Sequence, residues 1–296
     1  MRKLLFAAIT AFALIGTAQA MDKINQADFA GFKRSLALPN GIKMSYVEFG
    51  DPKGDPIVLL HGFTDNARSW SLVIPYLNQK HRIIAIDLRG HGSSSAPPCC
   101  YTFTDMAYDV KLAMDQLKID RANIVGHSLG SVISQVIAED YPERVERVVL
   151  VGSTSSASGI YSAEGEFAQA IESMKERPAL DSEFLSGWFD SVLPVDPEFI
   201  KYEKNETSKV PLQVWKGITH EAQTNEFGRH LARLKAPTLL VYGVHDNFMD
   251  KQSQEILKKS IANLTYVEYQ SAGHNIPWEL PKEFAENVES FIQKNN

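Results

Sequence analysis

Apolar residues fall along this chain in two rhythms. The segment KMSYVEFG (43–50) alternates apolar and polar positions, as a strand with one covered face does. The runs PIVLLHG (56–62), HRIIAIDLRGHG (81–92), ANIVGH (122–127), RVVLVG (147–152) and APTLLVYG (236–243) are short, continuously apolar at their centres and end in glycine or a turn. That is the form of strands covered on both faces. LTYVEYQ (264–270) is expected to close the set. Between them, RSWSLVIPYL (68–77), FTDMAYDVKLAMDQLKI (103–119), residues 128–139, KQSQEILKKS (251–260) and PKEFAENVESFI (281–292) repeat apolar positions at helical spacing. Thr104 and Asp105 are the expected caps of the second of these helices.

Strands alternating with helices predict an α/β fold, with a mostly parallel central sheet and helices on both faces. The rhythm breaks after Gly152. Residues 153–228 hold no comparable β run but several helix-like pieces rich in aromatics: Tyr161, Phe167, Phe184, Trp188, Phe189, Phe199, Tyr202 and Trp215. The expected organisation is a core of residues 21–152 and 229–296 interrupted by a helical cap, 153–228. The aromatics are expected both to pack the cap and to line an apolar pocket beneath it.

The first twenty residues read as a processing signal. A basic MRK, an apolar LLFAAITAFALIG and a small-residue AQA ending at Ala20 form a signal peptide, which points to export to a periplasm or beyond. The apolar run is short for a bilayer span, so no stable membrane insertion is expected after cleavage; an uncleaved anchor is the alternative. Formal net charge is −6, and Arg2 and Lys3 lie in the leader, which makes the remainder more acidic still. An acidic chain without a basic stripe is a poor partner for nucleic acid. The only cysteines, Cys99 and Cys100, are adjacent; a vicinal disulfide and a pair of free thiols are both open.

Candidate chemistry begins at IVGHSLGSVISQ (124–135), where Ser128 stands between Gly126 and Gly130 at a strand-to-helix junction. G-x-S-x-G in that context is a nucleophile elbow, whose tight turn leaves no room for bulky neighbours. A serine hydroxyl needs a base to take its proton and a carboxylate to orient that base. These are expected in the order Ser, acid, His after later strands. Asp246 follows the strand ending at Gly243, and His274 follows the next. Asp250 is the rival acid but reads as a helix start; His245, His220 and His230 read as surface residues. The oxyanion is expected to meet two backbone amides, those of Leu129 and of Phe63 after the turn at Gly62. His61 and His127 read as structural.

With GHSLG, HGF (61–63), DLRGHGSS (87–94), YPERVERVVLVG (141–152) and GHNIPWELPKEF (273–284), the chain resembles the α/β-hydrolases of the capped Ser-His-Asp kind over most of residues 40–294. The resemblance implies hydrolysis of carboxylic esters or lactones through an acyl-enzyme, on a small apolar substrate and without a cofactor. Carbon–carbon, amide and peracid chemistry on the same triad are the alternatives, followed by a silent binding protein on the same scaffold. GHGSSS (90–95) lacks the third glycine of a dinucleotide fingerprint, and no histidine spacing suggests a metal. Oligomeric state is not legible.

Overall fold

A computed structural model describes residues 21–156, 162, 165–225 and 231–294. The expected signal peptide, Tyr161 and His230 lie outside the described residues. Among the described residues eight strands form one sheet: β1 (Arg34–Ala37), β2 (Lys43–Gly50), β3 (Pro56–Leu60), β4 (Arg82–Asp87), β5 (Ala122–His127), β6 (Val145–Val151), β7 (Thr238–Gly243) and β8 (Leu264–Tyr269). Their spatial order is β1-β2-β4-β3-β5-β6-β7-β8. β1 pairs antiparallel with β2, and β2 with β4; from β4 to β8 every pairing is parallel.

The apolar runs are explained by burial on both sides. Val58, Leu60, Ile84, Ile86, Ile124, Val148, Leu150 and Leu240 belong to one core. Their sequence neighbours Ile57, Leu59, Ile83, Ala85, Val125, Val149, Leu239 and Val241 belong to the other. Successive side chains point to opposite faces, so a strand covered twice must be apolar at every position. Each such Val, Leu or Ile contributes about 1.5–3 kcal/mol through burial. The first core is covered by α1 (Phe103–Gln116), α2 (Leu129–Asp140) and α7 (Lys251–Ser260). The second is covered by Trp70, Val73, Ile74 and Leu77 and by Phe284, Val288 and Phe291 of α9 (Pro281–Ile292).

Two local expectations need correction. Residues 68–77 form no α-helix but two short 3₁₀ turns, Ala67–Trp70 and Ile74–Tyr76. The Asn66 side chain caps the first and Pro75 sits in the second, so the chain restarts instead of propagating. The cap of α1 is Thr102, not Thr104 or Asp105: its hydroxyl accepts from the Asp105 amide at 3.0 Å and donates to the Asp105 carboxylate at 2.6 Å. Cys99 and Cys100 are joined in a vicinal disulfide.

Between β6 and β7 lie α3 (Glu166–Ser173), α4 (Glu183–Trp188), α5 (Pro197–Thr207) and α6 (Leu212–Thr224). Phe167, Phe184 and Trp188 stack with near-parallel rings, and Trp188 meets Phe63 and the fully buried Trp215 edge-on. Phe189 and Phe199 pack on Trp278 from α8 (Ile276–Glu279). These helices are therefore docked onto the sheet domain through aromatic contacts.

Candidate active site

β4 lies on one side of β3 and β5 on the other, so the loops leaving the carboxyl ends of β3 and β5 diverge and open a crevice. Gly62 and Phe63 leave β3 into this crevice, and Ser128 leaves β5 into it. Ser128 has φ 52° and ψ −117°, the strained torsions expected of an elbow. A Cβ on Gly126 would run into the carbonyl of Gly130, and one on Gly130 into that of Leu60, which explains both flanking glycines. The Ser128 amide donates to Val151 O at 2.8 Å, and its carbonyl accepts from the Ser131 hydroxyl at 2.6 Å. Leu129 is the first residue of α2, where amides have no intrahelical partner.

His274 follows β8, and its Nδ1–H donates to Asp246 Oδ2 at 2.8 Å. The other oxygen of Asp246 accepts from the amides of Phe248 at 2.8 Å and Met249 at 2.9 Å. Burial alone would raise the Asp246 carboxyl. The charge of His274, its hydrogen bond and the two amides together hold it below the usual carboxylate range. With Nδ1 committed to Asp246, Nε2 is the nitrogen left to a reaction partner. The His274 loop is fixed from behind: its carbonyl accepts from His127 Nε2 at 3.0 Å, and the Gly273 amide donates to the Glu279 carboxylate at 2.9 Å.

Ser128 and His274 line one small cavity, together with Gly62, Phe63, Asp65, His127, Trp188, Phe248, Asn275 and Trp278. A second small cavity meets it at Phe63 and Ser128 and is walled by Phe103, Leu129, Val132, Ile218, Ala222 and Met249.

The structure thus brings together Ser128, Asp246, His274, Phe63 and Leu129. The rivals stand apart. Asp250 caps α7, accepting from the Ser253 amide at 2.6 Å. His245 and His220 are exposed. His61 is bonded through both nitrogens to backbone, accepting from the Leu88 amide at 2.9 Å and donating to Gly62 O at 2.7 Å. Burial holds the His127 ring down to about 3 and the His91 ring to about 4, so both are neutral imidazoles. Among the described residues there is no cluster of His, Cys, Asp and Glu that could hold a metal ion, and no helix is long and apolar enough to cross a membrane.

Sequence reasoning missed Asp65, Phe248, Asn275 and Trp278 as cavity residues. Asn275 and Trp278 stood within the quoted histidine motif, and Asp65 three residues beyond the glycine of HGF, so proximity to a motif was the available signal.

A switch-point crevice with a strained serine elbow defines the α/β-hydrolase class of fold. A family model described as "alpha/beta hydrolase fold" matches residues 55–196 and 154–281. The chain belongs to that family and is a hydrolase by fold. It is 24% identical over 265 residues to 3-oxoadipate enol-lactonase 2 of Acinetobacter baylyi, covering 90% of this chain and 98% of the relative. It is 27% identical over 316 residues to Lipase 1 of Psychrobacter immobilis, covering 98% and 97%. Among solved structures, a hydrolase from Pseudomonas aeruginosa PA01 superposes with a TM-score of 0.79 at 26% identity, covering 90% of this chain and 100% of that one.

Proposed function

We propose that this protein cleaves carboxylic esters or lactones by serine chemistry. The observation that carries the reading is the His274–Asp246 pair at 2.8 Å on the cavity that also holds the strained Ser128. Ser128 Oγ attacks the carbonyl carbon while Nε2 of His274 takes its proton, a contribution of about 10²–10⁴ in rate. The carbonyl oxygen becomes an oxyanion and accepts from the amides of Phe63 and Leu129, each worth roughly 10²–10³ by analogy with other oxyanion holes. His274 then protonates the departing alcohol oxygen, and the acyl group remains on Ser128. Water, deprotonated by the same ring, attacks the acyl carbon, and the acid leaves as the serine recovers its proton. Asp246 holds the imidazole in the tautomer with Nδ1 protonated.

The relatives named above, a lactonase and a lipase, support this choice of bond. Residues 153–228 act in this reading as a cap over the crevice, and residues 1–20 as the export signal of a periplasmic or secreted enzyme. The test is a panel of short- and long-chain esters and lactones given to the purified enzyme, with fluorophosphonate labelling as a titration of the serine. Stoichiometric labelling of the wild type, none in Ser128→Ala and a loss of at least about 10³ in turnover are expected. Substantial residual turnover by Ser128→Ala would refute the assignment.

A further inference from the structure

Ser128 stands where two cavities meet, and they differ in chemistry. One is walled chiefly by aliphatic and aromatic side chains of α1, α2, α6 and the loop before α7, with Thr154 and Ser156 also on its lining. The other carries Asp65, His127 and Asn275. If Ser128 is the nucleophile, the group that protonates the leaving oxygen decides which cavity takes which half of the substrate. His274 lines only the polar cavity. The leaving alcohol therefore belongs there and the acyl chain belongs among Leu129, Val132, Ile218 and Met249.

The polar cavity offers two buried groups that the proposed triad does not use. His127 is 2% exposed; its Nε2–H is taken by the His274 carbonyl, and its Nδ1 has no hydrogen-bond partner. Because Nε2 holds the proton, Nδ1 is an acceptor awaiting a donor. Asp65 is 4% exposed and belongs to the same loop as Phe63. The two groups converge on Gly62. Asp65 Oδ2 lies 2.7 Å, His127 Nδ1 3.2 Å and Ser128 Cβ 3.4 Å from the point where a side-chain carbon on Gly62 would stand. A buried orphan acceptor beside a buried carboxyl, both next to the attacking residue, is costly for the fold unless a ligand group satisfies it.

We infer that Asp65 and His127 bind a hydroxyl group carried by the leaving alcohol, so that the substrates of this enzyme are esters of a polyol with an apolar acid. A polyol suits both groups: one hydroxyl donates its single O–H to Nδ1 and accepts from the carboxyl when that is protonated, and an ionised carboxylate accepts from a second hydroxyl of the same alcohol. An alkyl alcohol would leave Nδ1 of His127 buried without a partner beside the Asp65 carboxyl, which is how sites built for hydroxyls reject analogues that lack them. Asp65 and His127 are specificity-determining residues here, and the inference rests on the serine-hydrolase reading above.

The experiment compares glyceryl monobutyrate with propyl butyrate, which share the acyl group and the carbon count of the alcohol and differ by two hydroxyls. The wild type is expected to favour the glyceryl ester at least tenfold in kcat/KM. His127→Gln keeps a donor for the His274 carbonyl and removes the Nδ1 acceptor; Asp65→Ala removes the carboxyl. Each is expected to shrink the preference at least fivefold, and His127→Gln carries the test if Asp65→Ala does not fold. A wild-type preference below twofold would overturn the inference. So would an unchanged preference in a folded variant, or no turnover of either ester by an enzyme whose Ser128 is labelled by fluorophosphonate. Turnover of both esters by Ser128→Ala would instead strike at the serine mechanism itself.

Discussion

Nδ1 of His274 and Oδ2 of Asp246 meet at 2.8 Å across 28 residues of sequence, and the second oxygen of the carboxylate is held by two backbone amides. The aspartate is thus locked by its own loop before it touches the imidazole. Asp246→Asn keeps the size of the side chain, but its amide can offer Nδ1 a donor where an acceptor is needed. Turnover is expected to fall by about 10⁴ with the thermal midpoint changed little. An effect below tenfold, measured on any ester the wild type cleaves, would remove Asp246 from the triad.

Gly152, at the end of β6, has φ 53°, and a side-chain carbon there would lie 2.9 Å from both Cε1 and Nδ1 of His274. Gly152→Ala must therefore push the imidazole off Asp246 while also straining the backbone. A displacement of about 1 Å at a reacting group costs on the order of 10² in rate. That loss in kcat, with a soluble and folded protein by circular dichroism, is the expected outcome. Wild-type kcat in the folded variant would mean that the ring tolerates displacement and that the pair does not set the rate.

Burial pushes the Asp65 carboxyl up to about 7, against the opposing pull of His274 charge and of hydrogen bonds from Ser69 and Gly62. Between about pH 4 and 7 the native state therefore holds a proton that the unfolded chain has released. Stability falls as pH rises through that window. Asp65→Asn removes this penalty, so its thermal midpoint should exceed that of the wild type at pH 8, by an amount reflecting a few kcal/mol. The two should converge near pH 4. Parallel melting curves at both pH values would contradict it.

Arg89, in the loop after β4, grips Asp109 of α1 with two nitrogens, Nε to Oδ2 at 2.5 Å and Nη2 to Oδ1 at 2.7 Å, and also donates to the Cys100 carbonyl. Arg89 is 5% exposed and Asp109 fully buried. Arg89→Met leaves an uncompensated carboxylate inside, with only Asn40 donating to it at 2.6 Å. Chemical denaturation is expected to show a loss of about 3–5 kcal/mol. A loss below 1 kcal/mol would mean that Asp109 is relieved by protonation or by water.

How much of this was legible in the sequence follows from what burial writes into it. β3, β4, β5 and β7 need apolar residues at every position, so their runs stood out. β1 is short and at the sheet edge, with Arg34, Ser35 and Ala37 exposed, and left no pattern. Trp70, Val73, Ile74 and Leu77 are spaced as on a helix because all four face one core, yet the backbone beneath them is two 3₁₀ turns. Periodicity reported which side chains are covered, not which helix carries them. The placement of Ser128, Asp246 and His274 at the ends of β5, β7 and β8 was legible because each follows a readable strand. Asp65 was not, since Thr-Asp-Asn after a glycine reads as turn chemistry, and its exposure to a cavity depends on α4 and α5 folding back over it.

The torsions of Ser128 carry a last consequence. A β-substituted residue at φ 52° and ψ −117° costs the native state roughly 1–3 kcal/mol, most of which glycine would avoid. If Ser128 is the nucleophile as proposed, its hydroxyl is kept at the expense of heat resistance. Libraries of this protein sorted only for survival at high temperature would accumulate glycine at 128, whereas sorting for turnover would restore serine, so the two selections pull one codon in opposite directions.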